Sequence, residues 1–316
     1  MEATTGVRPV GREQIDLAAQ RITGRARRTP VLDLEPGAFG LDCRLSLKLE
    51  LHQLSGSFKW RGTLNRMLSA EIPPAGVVAA SGGNFAVAVA LAAESLGVPA
   101  TIFVPDSTSP AKLSRLRAGG AELVIGGDFY DDALAASRRR ADDTGALFLH
   151  AFDQPEIVAG QGTCGRELAE QRPELETVIV ATGGAGLIGG VASWYRDRVR
   201  LVSVESERTS SLHAALAAGE PVDVEVGGLA ADSLGAARVG RYGFESARRW
   251  VDDAVLVTDE QIRDAQLELW RHARIACEPA PAATLAALRS GSYRPAPGER
   301  VGLVISGGNV DPAQLA

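Results

Sequence analysis

From Val77 onward the chain alternates short apolar runs with helix-length stretches, and this alternation limits the fold more than any other feature. Val77–Ala80, Ala100–Val104, Ala121–Ile125 and Leu147–His150 read as strands, with helices expected over Phe85–Leu96, Ser109–Ala118 and Tyr130–Thr144. A second series follows. Its strands are Thr177–Ala181, Leu201–Glu205, Ala254–Val257 and Val301–Ile305. Its helices are Glu156–Gln171, one running from the Gly183–Gly189 turn to Arg196, Arg208–Ala218, Asp259–Arg274 and Ala282–Ser290, with Gly219–Gly240 irregular. Strands separated by helices of this length pair in parallel through right-handed crossovers. The expected class is therefore α/β, with three-layer αβα units around mostly parallel sheets. Ahead of the series come a helix over Gln14–Arg28, a strand over Leu45–Leu51 and a helix from Lys59 to the Pro73-Pro74 stop. A length of 316 residues suits one large or two medium domains.

Composition removes several classes of partner. There are 33 basic and 39 acidic residues, a net charge of -6, which does not favour nucleic acid or an anionic membrane. The arginine runs Arg25–Arg28 and Arg138–Arg140 fall on expected helix ends, where they suit the helix dipole. No apolar run approaches a membrane span, and Met1–Val10 lacks the apolar core of a signal peptide, so a cytoplasmic address is expected. Cys43, Cys164 and Cys277 are scattered, as small buried hydrophobes in a reducing compartment would be. His52, His150, His213 and His272 are isolated too, so no metal site is read. No appended module is expected after Asn309.

Lys59 stands between Phe58 and Trp60, behind the small turn Ser55-Gly56-Ser57. Apolar burial would lower its pKa and free the amine for nucleophilic chemistry. The same residues also describe a plain helix start, with Ser57 as N-cap and Lys59 and Arg61 reaching back to solvent. Three glycine turns at strand ends decide between the two readings: Ser81–Asn84, Gly183–Leu187 and Ser306–Asn309. A glycine turn that opens a helix offers unpaired backbone N–H groups to an anion, and the carboxyl ends of parallel strands are where open α/β sheets bind ligands. A small, multiply anionic ligand accounts for all three turns and gives a buried amine a purpose. Gly184-x-Gly186-x-x-Gly189 with Glu205 on the next strand also satisfies the dinucleotide fingerprint. An NAD-binding oxidoreductase is thus a remote alternative, one that leaves Lys59 and the Ser81 turn without a role.

Taken in order, Ser57–Gly62, Ser81–Asn84, Gly160–Thr163, Gly183–Leu187, Glu278-Pro279 and Ser306–Asn309 resemble the pyridoxal-phosphate enzymes of fold type II, the tryptophan-synthase-β-like group. The nearest resemblance is to serine/threonine dehydratases and serine racemase, and it runs from about Gln14 to Asn309. It implies a large cofactor-binding domain over 1–51 and 150–316 and a small domain over 52–149. It implies that Lys59 carries pyridoxal 5'-phosphate as a Schiff base and then acts as base at Cα. Phe58 would pack near the cofactor ring, Asn84 would bond the ring hydroxyl, and Glu278 would stand behind it. Gly183, Gly184, Ala185, Gly186 and Leu187 would hold the phosphate, and Ser306 would face the pyridine nitrogen. Ser81, Gly83 and Asn84 would grip the substrate carboxylate, with Gly82 and Phe85 in the substrate wall. A homodimer is also implied. Some relatives bind a structural cation at the position of Glu205, but Thr209 and Ser211 supply no second carboxylate here.

A neutral Ser306 does not enforce ring protonation, which favours expulsion of a β-hydroxyl over reprotonation of the cofactor carbon. The reaction expected is β-elimination of a β-hydroxy amino acid such as L-threonine or L-serine, giving a 2-oxo acid and ammonia. The cofactor phosphate is expected to help protonate the departing hydroxyl. Gly82 stands where racemases carry a serine, so little racemisation is expected. Phe85 in place of a histidine, and Ala280-Pro281-Ala282 in place of a more glycine-rich run, leave a bulkier β-hydroxy substrate open. A β-replacement synthase and a catalytically silent ligand-binding relative are the other readings.

Overall fold

The computed structural model describes residues 6–315 apart from 107, 109–112, 115 and 118. The chain enters through helix α1 (Arg12–Ile22), the short strand β1 (Val31–Asp33), strand β2 (Arg44–Leu49) and helix α2 (Lys59–Leu68). There follow β3 (Val77–Ala80), α3 (Asn84–Leu96), β4 (Ala100–Val104), β5 (Glu122–Ile125), α4 (Tyr130–Thr144) and β6 (Leu147–Leu149). Next come α5 (Pro155–Gln171), β7 (Thr177–Ala181), α6 (Gly186–Tyr195), β8 (Arg200–Ser206), α7 (Ser211–Ala218) and α8 (Ala231–Leu234). The chain finishes with α9 (Arg241–Trp250), β9 (Asp253–Val257), α10 (Asp259–Ala273), α11 (Pro279–Ser290) and β10 (Arg300–Ile305). The helix expected over Ser109–Ala118 lies largely outside the described residues.

Two sheets organise these elements. One is six-stranded in the order β1-β2-β10-β7-β8-β9, the other four-stranded in the order β5-β4-β3-β6. All pairings are parallel except β1 with β2, where Val31 faces Lys48. The class is thus the α/β expected. β3, β4 and β7 carry buried side chains on both faces, which is why they read as unbroken apolar runs. In the large sheet β10 sits between β2 and β7, so the last strand is central and the turn after it meets the turn before α2.

Close helix packing explains several glycines. A Cβ at Gly160 would run into Gly62 of α2, and one at Gly190 would run into Gly162 of α5. These glycines let α2, α5 and α6 stack at backbone distance behind both sheets, and Gly189 meets Gly243 of α9 in the same way. Beneath α2 lies a buried ionic cluster. Arg61 donates to both oxygens of Glu50 (2.7 Å each) and to Glu167 (3.1 and 3.2 Å), and Lys48 donates to Thr29 C=O (2.9 Å) and to Glu167. Burial opposes ionisation of Glu50, but the charge and hydrogen bonds of Arg61 outweigh it and hold the carboxyl low. Arg61 therefore does not reach back to solvent, since only 1% of it is exposed.

Other expectations are corrected as well. α1 ends at Ile22, so Arg25–Arg28 lie past it, with Arg28 paired to Glu170. α9 and β1 carry structure where none was expected. Among the described residues no helix is long and apolar enough to cross a membrane. Cys43, Cys164 and Cys277 are free and buried.

Candidate active site

The turn before α2 is zipped to the turn after β10. Ser57 forms an antiparallel bridge with Gly307, Phe58 N–H donates to Ser306 C=O (2.9 Å), and Gly308 N–H donates to Gly56 C=O (2.9 Å). Gly56 has φ +74°, and a side chain there would strike the Asn309 amide. The N-cap of α2 is Phe58 rather than Ser57, and the Ser57 hydroxyl is buried without a hydrogen-bond partner. The zip, not a side-chain cap, sets where the helix begins.

That start directs Lys59 inward. Its Nζ donates to the Ala151 carbonyl (2.9 Å) and lies 5.1 Å from the centre of the Phe58 ring and 5.8 Å from that of Phe85. Burial, with no neighbouring carboxylate offsetting it, lowers the pKa to about 8. Phe85, expected in the substrate wall, is 2% exposed and packs in the core of the four-stranded sheet. It reaches the site through its ring, beside the amine.

The partner of Lys59 belongs to a turn that the sequence did not single out. After β6, His150 Nδ1 accepts the N–H groups of Phe152 (3.3 Å) and Asp153 (3.0 Å). Burial lowers the His150 pKa to about 4, so the ring stays neutral and keeps this acceptor. The turn so fixed aims Ala151 C=O at Lys59 and lays the Phe152 ring under Gly184, where any side chain would collide with it. One turn thereby holds the amine and the glycine loop together. Its only trace in the sequence is its place at a strand's carboxyl end.

The loop Gly183–Leu187 leaves β7 and opens α6 through Ala185, which is the N-cap at φ +62°. The first-turn N–H groups of a helix have no partner within it. Gly183 passes so close to Leu234 that a Cβ would lie 2.8 Å from the Leu234 carbonyl oxygen. Across the cleft, Gly83 is the N-cap of α3 and donates to Ser81 Oγ (3.2 Å). A Cβ at Gly83 would lie 3.5 Å from the Asp232 carbonyl oxygen, and one at Gly82 would lie 3.2 Å from Thr108 Oγ1. Helix α8, within a stretch read as irregular, thus touches the glycine turns of both sheets.

Asn84 and Glu278 meet across the site: the Asn84 amide donates to both carboxylate oxygens (2.9 and 2.8 Å). Ser306 is buried just past the end of β10, and the next residue, Gly307, lies against this pair, where a Cβ would collide with Glu278. Glu205 is turned away. It is 1% exposed and accepts the N–H groups of Leu212 (2.8 Å) and His213 (2.7 Å), capping α7. The acid that a dinucleotide ribose would need is therefore already engaged. Among the described residues no three His, Cys, Asp or Glu side chains gather as a metal site.

Comparison with known proteins gives the site its setting. The family model described as "Pyridoxal-phosphate dependent enzyme" matches residues 22–307. The L-threonine ammonia-lyase of Thermotoga maritima is 40% identical over 84% of this chain and 67% of its own. The catabolic L-threonine dehydratase of Escherichia coli K12 is 33% identical over 98% of this chain and 95% of its own. Among solved structures, maize serine racemase superposes with a TM-score of 0.91 at 32% identity, covering 97% of this chain and 95% of that one.

Proposed function

The chain belongs to the family of pyridoxal-phosphate dependent enzymes, and from that premise we propose that it converts L-threonine, L-serine or a bulkier β-hydroxy amino acid to a 2-oxo acid and ammonia. The observation that carries this reading is the Lys59 amine, depressed to about 8 between two aromatic rings and held by a backbone carbonyl instead of a carboxylate.

The residues fit the cofactor. Phe152 fills the space beneath Gly184 that a side chain would need, so the Gly183–Leu187 backbone can close on a phosphate at the start of α6. Lys59 would hold the aldehyde end, Phe58 would flank the ring, Asn84 would meet the ring oxygen and Ser306 the ring nitrogen. When bound, the group supplies an electron sink for the pair left at Cα.

The protein's own residues do the rest. The α3 N-terminus at Ser81, Gly83 and Asn84 binds the substrate carboxylate and orients the Cα–H bond toward Lys59. Lys59 Nζ, in the neutral form that its lowered pKa makes accessible, takes the Cα proton. The Cβ–O bond then breaks and the hydroxide leaves as water once protonated. The released enamine adds water and loses ammonia. Gly82 offers no hydroxyl on its side of the cleft. We extend the proposal to a cytoplasmic homodimer: buried free thiols suit a reducing compartment, and sedimentation equilibrium reads the mass.

The test is a screen of L-serine, L-threonine and bulkier β-hydroxy amino acids for ammonia and 2-oxo acid with no nucleophile added. Product is expected from at least one of them, and Lys59→Ala is expected to lose about a thousandfold or more in kcat together with the visible absorption of the bound cofactor. An unchanged rate in Lys59→Ala refutes the proposal.

A further inference from the structure

Four groups from distant parts of the chain form one hydrogen-bonded line through the site. The Asn309 Nδ2 amide donates to Ser55 C=O (2.9 Å) and to Asn84 Oδ1 (2.7 Å). The Asn84 Nδ2 amide then donates to Glu278 Oε1 (2.9 Å) and Oε2 (2.8 Å). Both ends of the line are acceptors only: a backbone carbonyl and a carboxylate cannot donate. A side-chain amide can turn by half a rotation and exchange donor for acceptor, but here neither asparagine can turn alone. If Asn84 turned, its oxygen would face Glu278 and its NH2 would face the Asn309 NH2. If Asn309 turned, its oxygen would face two other oxygens. The space is also closed, because Gly56 at φ +74° is the residue that admits the Asn309 amide at all.

We propose that Asn309 is a positioning residue that, braced on Ser55 C=O, fixes Asn84 as a hydrogen-bond donor toward the cofactor side of the site. The inference rests on the reading of Asn84 as the partner of the cofactor's ring oxygen. A donor in that place stabilises the ring oxygen when ionised, whereas an acceptor stabilises it only when protonated. The chemical state of the cofactor is thus set by a residue that need not touch it. The same line ties the turn before Lys59 to helix α3 of the other sheet, so the lysine and the asparagine are placed by one device.

The substitution Asn309→Asp is nearly isosteric and breaks the line. Its carboxylate sets oxygen against Ser55 C=O and Asn84 Oδ1, so Asn84 regains a bond to it only by turning its own oxygen toward Glu278 and losing that partner. The holoenzyme variant is expected to bind pyridoxal phosphate about tenfold more weakly. The ratio of the visible band (ring oxygen ionised) to the near-ultraviolet band (ring oxygen protonated) is expected to fall by a similar factor. Asn309→Ala removes the brace without reversing the line, so a smaller change of about threefold is expected, and it serves as the second variant if the aspartate does not accumulate. In an Asn84→Ala background neither substitution is expected to change the dissociation constant or the band ratio further. Ratios and constants within twofold of wild type, or the same change in both backgrounds, would overturn the inference. Bands that shift with Asn84 but not with Asn309 leave the cofactor reading standing and refute this one alone. A wild-type spectrum with no Lys59-dependent band removes the premise and refutes both.

Discussion

The amine of Lys59 loses its hydration on burial and gains in exchange one carbonyl, that of Ala151. With the pKa lowered from 10.5 to about 8, roughly half the side chains are neutral at pH 8, against less than about one in a hundred for an ordinary lysine. Only the neutral amine can attack an aldehyde. The rate at which cofactor-free protein captures pyridoxal phosphate is therefore expected to climb between pH 7 and 9 and level off above it, as stopped-flow absorbance would report. A rate still climbing steeply at pH 10 would place the amine in water. Sequence alone left two fates for this lysine, because burial is decided by residues distant in the chain. Phe58 is its neighbour, but Phe85 comes from α3 and Ala151 from the turn after β6.

Helix starts are where the elements meet chemistry. In the proposed reading the start of α6 receives a phosphate and that of α3 a carboxylate, whereas α7 is satisfied internally by Glu205. Burial raises Glu205 to about 7, a shift that the N–H groups of Leu212 and His213 only partly offset. Since this lies above the unfolded value near 4.5, folding takes up a proton. The stabilisation is complete below pH 4.5 and is lost as pH rises through 7. Glu205→Gln keeps an acceptor for α7 but cannot titrate. Wild-type stability is expected to fall by about 3 kcal/mol more than that of the variant between pH 4.5 and 8, as urea unfolding at both values would show. Equal slopes would contradict the assignment. Elements were legible where burial is two-sided: β3, β4 and β7 run over the residues that their apolar runs indicate. β1 has three residues, mostly exposed and antiparallel, too short to show a period. α9 was hidden for another reason: Gly243, Glu245 and Ser246 are buried along with the apolar Phe244 and Ala247, which blurs the stripe in the sequence. The glycine loops could be read because glycine has few other reasons to recur at strand ends, while the His150–Asp153 turn uses residues that mark nothing locally.

At the scale of the molecule, the two sheets share one cleft, and the contacts around it include Asn84 with Glu278, α8 with both glycine turns, and the close packing of α2 against α5. A cofactor held by loops from both sides stabilises the folded state by mass action. At a hundredfold excess over its dissociation constant, pyridoxal phosphate is expected to add about 2.7 kcal/mol and to raise the melting temperature by a few degrees, the rise growing with concentration. Differential scanning fluorimetry reads this directly, and a melting temperature indifferent to the cofactor would contradict a site built between the sheets. The zip between Ser57 and Gly307 has a further consequence, for the order in which the protein comes into being. The lysine leaves the ribosome well before the strand whose following turn fixes it, so a nascent chain holds its amine unplaced over all the intervening synthesis. Contacts of such separation close late. Competence to capture the cofactor is therefore expected to arrive only with β10.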